Sequence, residues 1–138
     1  MLETVMSRIS SALETYGGIN AYTAFDCAPI NRKGSRPITV ISVEKLECSA
    51  PIYDTASLYI PFTASAAVSV WAAPRTDMLS LCEMFDSKII PSLSQIAGLS
   101  CSMGELSFRT DTNLNRVVMK LNFTARGIKK YARGNSIG

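Results

Sequence analysis

The chain has 138 residues, enough for one domain with one sizeable core, and its 47% hydrophobic and 18% charged residues are typical of an ordered globular protein. Its formal net charge of +3 is unevenly placed: residues 1–111 hold 8 basic and 11 acidic side chains, whereas residues 112–138 hold 6 basic side chains and no acid. The absence of histidine excludes Ser-His-Asp and Cys-His catalytic sites, and no apolar run approaches the roughly 20 residues that a membrane-spanning helix needs.

An amphipathic helix is predicted over residues 2–16, because apolar side chains recur there at spacings of three and four residues. Gly17 and Gly18 are expected to end it, since glycine readily takes the left-handed conformation at a helix C-terminus. The N-terminus carries Glu3 and lacks a basic segment followed by an apolar core. We therefore expect no secretory signal, and synthesis in the cytosol.

Residues 19–37 are predicted to be irregular, and two long strands follow them. The first, residues 38–48, is rich in β-branched side chains, and the second covers residues 58–73. Pro61 lacks a backbone donor, which favours a sheet edge, a bulge or a break at that point. The irregular segment contains an exposed loop with three basic residues: Arg32, Lys33 and Arg36.

A second helix and a hairpin complete the chain. Apolar residues recur at helical spacing over residues 76–97, with Thr76 as the expected N-cap and a kink or split near Ile90 because Pro91 lies inside the pattern. Residues 101–109 and 115–127 are predicted to pair through a polar turn. In the second of these strands one face would hold five apolar side chains: Val117, Met119, Leu121, Phe123 and Ala125.

The predicted order is α-β-β-α-β-β, an α+β fold with a mainly antiparallel four-stranded sheet and both helices packed on one face. Residues 1–127 would form the single domain and residues 128–138 a basic C-terminal tail. We expect reduced, mostly buried thiols at Cys27, Cys48, Cys82 and Cys101, because their spacing fits no zinc motif and no export signal accompanies them.

Catalytic equipment is not visible in this sequence. No phosphate-binding glycine motif is present, and the paired carboxylates are expected on exposed surfaces, so no catalytic residue, metal or cofactor is predicted and the protein is not expected to be an enzyme. Trp71, the only tryptophan, is interpreted as a packing or interface anchor. The basic C-terminal end is open to three interpretations: a solvated tail, a nucleic-acid contact or a contact with an acidic protein surface.

Residues 68–127 resemble the small tail-completion proteins of bacteriophages and of phage-derived contractile particles, including the tail terminators of prophage-like systems. The likeness lies in a strand ending "WAAPR", a helix containing "IIPSL", a short "GELSF" strand, a polar turn and a final strand that ends in glycine.

The resemblance implies a structural protein of virion assembly. Such terminators form a hexameric ring that caps the tail tube, ends its polymerisation and docks the neck or the sheath end. The partners of this protein would be copies of itself, the tube protein and neck or sheath proteins. Assembly would take place in the bacterial cytoplasm, and we expect no membrane contact and no specific nucleic-acid ligand.

Alternatives within this class are a head–tail joining protein or the tube subunit itself. A nucleic-acid-binding accessory protein that uses the basic end is an alternative from another class. The residues expected at subunit or partner interfaces are Arg32, Lys33, Arg36, Trp71, Lys120, Arg126, Lys129, Lys130 and Arg133.

Overall fold

The computed structural model describes residues 1–23 and 36–133, which form an α+β domain with helices packed on one face of a sheet. The helices are α1 (Leu2–Gly17), α2 (Met78–Met84) and α3 (Ile90–Leu93), and a π-helical segment (Phe85–Ile89) joins the last two. The strands are β1 (Ala21–Thr23), β2 (Ile38–Cys48), β3 (Ile52–Tyr53), β4 (Ser57–Ala72), β5 (Leu99–Asp111) and β6 (Arg116–Ala132).

The first helix has the predicted bounds to within one residue, and its apolar stripe packs into the core. Gly18 follows α1 with φ 64°, a left-handed conformation, and its N–H donates to the Glu14 carbonyl. This is the predicted glycine stop. The buried residues of α1 are Val5, Met6, Ile9, Ala12 and Leu13.

The second helical region begins one residue later than predicted and is divided before Pro91. Asp77 caps it in place of Thr76, because the Asp77 carboxylate accepts a hydrogen bond from the Leu79 N–H at 3.1 Å. Pro91 lies in the first turn of α3, directly after the wider π-helical turn. A proline ring crowds the carbonyl of the preceding turn, so the predicted split near Ile90 is confirmed with a clear cause.

The sheet has six strands in the order β1-β2-β4-β6-β5, with β3 paired to β4 beside this path. The prediction of four strands is therefore corrected. β1 and β3 contain only three and two residues, too few for alternation to reveal them in the sequence. β1 runs parallel to β2, so the sheet is mixed, although its other pairs are antiparallel.

β4 and β6 are the central pair and separate the two faces of the sheet. They stay in register from Ser57 opposite Ala132 to Ala72 opposite Val117. The five apolar residues predicted for one face of β6 are all buried and belong to the core beneath the helices. We call the opposite face the outer face; on β6 it carries Val118, Lys120, Asn122, Thr124 and Arg126.

The central pair continues beyond its neighbours. β2 accompanies β4 only as far as Cys48, opposite Phe62, and β5 accompanies β6 only from Leu99, opposite Gly127. Beyond this point β3, the start of β4 and the end of β6 form a narrow three-stranded extension, which we call the arm (residues 52–61 and 128–133). Five strand residues give it a length of roughly 16 Å.

Pro61 lies at the base of the arm, where the predicted sheet edge is found. Its carbonyl accepts a hydrogen bond from the Ser49 N–H, just past the end of β2. The N and C=O groups of one strand residue point to the same side, so the missing N–H of Pro61 falls where the ladder with β2 has already ended. Residues 128–132, predicted as part of a tail, are strand.

Candidate assembly interface

The outer face carries Trp71 close to Lys120. The indole Nε1 of Trp71 donates to the Ser69 hydroxyl at 3.0 Å, and the Arg109 guanidinium lies 5.3 Å from the centre of the ring. Trp71 is half-buried and lies outside the core, so it is available to a partner. These side chains, with Lys120 and neighbouring residues of β2 and β6, line a shallow depression.

An ion pair crosses this face from one side of β4 to the other. The Nζ atom of Lys120 on β6 lies 2.9 Å from the Oε1 atom of Glu44 on β2. Glu44 is the extra residue of a bulge between Val43 and Lys45, and the bulge lets it reach across. Both side chains are well exposed, so the pair adds little to stability.

The arm brings cations and aromatic rings together. A guanidinium nitrogen of Arg133 donates a hydrogen bond to the Asp54 carbonyl at 2.8 Å, which connects the end of β6 to the β3–β4 turn. Ile52, Tyr53 and Ile128 are 55%, 65% and 57% exposed, so both faces of the arm present apolar surface. Each cation lies over a ring: Lys129 over Tyr131 at 6.0 Å, Lys130 over Tyr59 at 5.9 Å and Arg133 over Tyr53 at 5.4 Å.

A third exposed surface follows the edge strand β5. Met103, Leu106 and Phe108 lie opposite the core residues Phe123, Leu121 and Met119, and so point to the helix-bearing face. They nevertheless remain more than a third exposed. Among the described residues no strand pairs with the far side of β5, so its outward backbone groups are open to a partner.

The predicted interface residues fall into separate groups. Trp71 and Lys120 lie on one part of the outer face, whereas Lys129, Lys130 and Arg133 belong to the arm, roughly 40 Å away along the strands. Arg126 lies between these groups and is exposed. Arg36, which lies just before β2, is also exposed. Arg32 and Lys33 lie outside the described residues.

Sequence reasoning missed the apolar strip of β5 and the rings of the arm. A weak signal existed for the strip, because the segment "MGELSF" places Met103, Leu106 and Phe108 at spacings of three and two. Side chains on one face of a regular strand are two residues apart, so a spacing of three requires a bulge, and the structure has one between Met103 and Leu106. For the arm, Tyr53 lies within the break predicted between residues 48 and 58 and Tyr59 lies just after it, and nothing local marks them as one surface.

Titratable groups in the described residues form no catalytic arrangement that we recognise, and no three or more Cys, Asp or Glu side chains there are placed to hold a metal ion. The thiols of Cys48, Cys82 and Cys101 are free. Cys48 is exposed, which corrects the expectation of mostly buried thiols, and the other two are half-buried. Burial raises the pKa of Cys101, so this thiol is a weaker nucleophile.

None of the helices in residues 1–23 and 36–133 is long and apolar enough to cross a membrane.

The sequence matches no protein-family model and no curated protein. Its fold, however, is known from a solved structure. A sheath/tube terminator of the extracellular contractile injection system PVC, determined by cryo-electron microscopy in the extended state, matches 97% of this chain with a TM-score of 0.56 and 12% sequence identity.

The chain shares its fold with a sheath/tube terminator. The resemblance to tail terminators expected from the sequence is thereby confirmed at the level of the fold. The chain spans 58% of the length of that terminator, which is the larger protein.

Proposed function

We propose that this protein is a terminator subunit of a phage tail or a phage-derived contractile particle. Six copies would form a ring on the last layer of the tail tube, end its polymerisation and dock the sheath end or the neck. The shared fold with a sheath/tube terminator over 97% of the chain is the observation that carries the proposal. Assembly would take place in the bacterial cytoplasm before the protein becomes part of the particle.

The surface of the subunit supports an assembly role. The arm, the β5 edge and the outer face each present side chains that a monomer leaves exposed, and they lie on different sides of one rigid sheet. A ring needs two complementary lateral surfaces, and capping needs a further surface toward the tube. The described part of the chain offers that number of distinct surfaces.

Termination would be geometric and not chemical. A heterologous contact repeats until the rotation per subunit closes the ring, and growth stops if the ring face away from the tube fails to match another ring. Such a protein acts by the shapes it presents and needs no reacting group.

The test uses purified chain and purified tail tubes. Electron microscopy of the mixture should show one additional layer at one tube end, and native mass spectrometry should show a species of six chains. Added before tube growth is complete, the protein should shorten the tubes, whereas it should leave preformed tubes at their original length.

The rival roles give different results in the same experiment. A tube subunit polymerises by itself into long stacks, and a head–tail joining protein binds particles at the head and leaves isolated tube ends bare. A nucleic-acid-binding protein shifts duplex or single-stranded DNA with an affinity that falls steeply as salt rises. Any of these results in place of tube capping would refute the proposal.

A further inference from the structure

We infer that the arm of one copy docks on the β5 edge of the next copy, and that this head-to-tail contact closes the ring. The inference rests on the proposed function, since it names the lateral interface of the proposed ring. The partner of the arm is a second copy of this chain, and the arm recognises its β5 edge by opposite charge and by apolar contact.

The arm has the properties of a donor surface. It extends past the ends of β2 and β5, so its two faces lack the helices and strands that cover the body. Ile52, Tyr53 and Ile128 are each more than half exposed there. A protruding extension of a sheet with exposed apolar side chains on both faces is costly to leave in water and typical of a segment that packs on a partner.

The β5 edge has the properties of an acceptor surface. Met103, Leu106 and Phe108 form an apolar row on its helix-bearing side, 37%, 41% and 37% exposed. The backbone on the far side of β5 is unpaired among the described strands, so an incoming strand can add hydrogen bonds to the apolar contact. Gly104 also holds β5 close to β6, because a Cβ atom there would lie 2.9 Å from the Asn122 carbonyl oxygen.

The two surfaces carry opposite charge. The arm has three cations, Lys129, Lys130 and Arg133, and one anion, Asp54, a net charge of +2. β5 (Leu99–Asp111) holds two acids, Glu105 and Asp111, and one base, Arg109, a net charge of −1. Glu105 lies at the bulge between Met103 and Leu106 and is exposed. Complementary potentials of this kind guide association and fix which surfaces meet.

The contact cannot form within one chain. Residues 128–132 of the arm are hydrogen-bonded to β4 and point away from β5, which begins opposite Gly127. The arm of a copy therefore meets a β5 edge only in another copy. Two different patches meeting in this way form a heterologous interface, and repetition of such an interface produces a closed ring when the rotation per subunit closes.

Charge reversal in matched sets tests the inference. The arm-reversed chain carries Lys129→Glu and Lys130→Glu, the edge-reversed chain carries Glu105→Lys, and a control carries Glu3→Lys on the exposed side of α1. Sedimentation over a wide concentration range measures self-association, and thermal unfolding confirms that each variant folds. Each of the two reversed chains alone should associate about tenfold or more weakly than wild type, and the control should match wild type.

Mixing the two reversed chains is the decisive measurement. In an equimolar mixture, every arm–edge contact between an arm-reversed and an edge-reversed chain pairs opposite charges, so assembly should return; a chain that carries all three substitutions should also assemble alone. Ile128→Ser and Leu106→Ser test the apolar part and should weaken association, whereas Tyr16→Ser, which alters an equally exposed side chain on α1, should not.

The outcomes separate this inference from the proposed function. If wild-type chain caps tubes and the reversed chains cap them equally well, the interface is wrong and the function stands. If the reversed chains behave as expected but wild type ignores tubes, the interface stands and the function is wrong. Folded reversed chains that assemble like wild type, a mixture that fails to recover, or a wild-type chain that is monomeric at every concentration would each overturn the inference.

Discussion

Gly127 on β6 and Phe62 on β4 face each other where the covered body of the domain meets the arm. A Cβ atom on residue 127 would lie 2.8 Å from Cζ of Phe62, 2.8 Å from a methyl carbon of Leu99 and 3.0 Å from the Gly98 carbonyl oxygen. Glycine is thus required here by close packing, and not by its backbone conformation.

Replacing this glycine should strain the base of the arm. We expect Gly127→Ala to lower the free energy of unfolding by about 1–3 kcal/mol, the usual cost of overpacking, as measured by urea unfolding. Adding Phe62→Leu should recover part of the loss, because it removes the Cζ atom. Gly18→Ala offers a contrast: no atom lies within 4 Å of its Cβ position, but its φ of 64° is unfavourable, so Gly18→Asn should be milder. An unfolding curve for Gly127→Ala equal to wild type contradicts the packing argument.

The regular parts of the fold were predictable because period and length are local properties. α1, β2 and the inner face of β6 follow from side-chain spacing alone, and the bounds of β2 were predicted to the residue. The turn at 112–115 also follows from local chemistry, since the Asp111 carboxylate accepts a hydrogen bond from the Leu114 N–H. The pattern that predicts each of these features is visible within its own segment.

The remainder depends on contacts that a single segment does not encode. β1 and β3 are strands only because β2 and β4 pair with them. Residues 128–132 appeared as a basic tail because lysine and arginine are common in tails, yet their pairing with β4 makes them strand. The candidate interface was predicted as eight cations and Trp71; the structure places Trp71 and Lys120 on the outer face and Lys129, Lys130 and Arg133 on the arm.

The N-cap of α2 permits a matched test of which residue fixes the helix start. Asp77→Ala should cost about 1 kcal/mol of stability, because it leaves the Leu79 N–H without its carboxylate acceptor. Asp77→Asn should be close to neutral, since asparagine caps equally well. Thr76→Ala, at the position predicted from sequence, should have little effect in the same urea titration. A larger loss for Thr76→Ala than for Asp77→Ala would reverse the assignment.

Asp111 should give the protein a specific sensitivity to acid. The hydrogen bond from Leu114 holds the pKa of Asp111 below its usual value, burial opposes this, and Arg109 adds to it. A lowered folded pKa stabilises the protein above the unfolded pKa, and the contribution is lost as pH falls through the folded value. The difference in melting temperature between wild type and Asp111→Asn should therefore be constant near neutral pH and shrink below about pH 4.

Arg109→Gln provides the control for this pH dependence. It removes the ion pair of 3.3 Å with Asp111 but leaves the Leu114 bond in place, which is the largest cause of the lowered pKa. Most of the acid sensitivity should remain in this variant. If Asp111→Asn and wild type lose stability in parallel at every pH, the Asp111 carboxylate has no such role.

The helical region contains a contrast between a buried and an exposed apolar residue. Phe85 in the π-helical segment is completely buried, so Phe85→Ala should cost about 3–5 kcal/mol through lost burial and the cavity left behind. Leu79 on α2 is 71% exposed, and Leu79→Ala should change stability by less than about 0.5 kcal/mol. Thermal unfolding of the two variants measures the difference, and equal losses would show that the π-helical turn is not packed as described.

The outer face should contact the tube, while the arm and β5 form the ring. Trp71 and Lys120 lie on this face, far from the arm and on the side of the sheet opposite the apolar row of β5, and a half-buried Trp beneath an Arg is typical of an interface anchor. Trp71→Ala combined with Lys120→Ala should therefore weaken capping of purified tubes about tenfold or more while self-association by sedimentation stays unchanged. Tyr16→Ala, an exposed aromatic residue on α1, serves as the control and should cap normally. Loss of self-association in the Trp71 and Lys120 variant would place this face in the lateral interface instead.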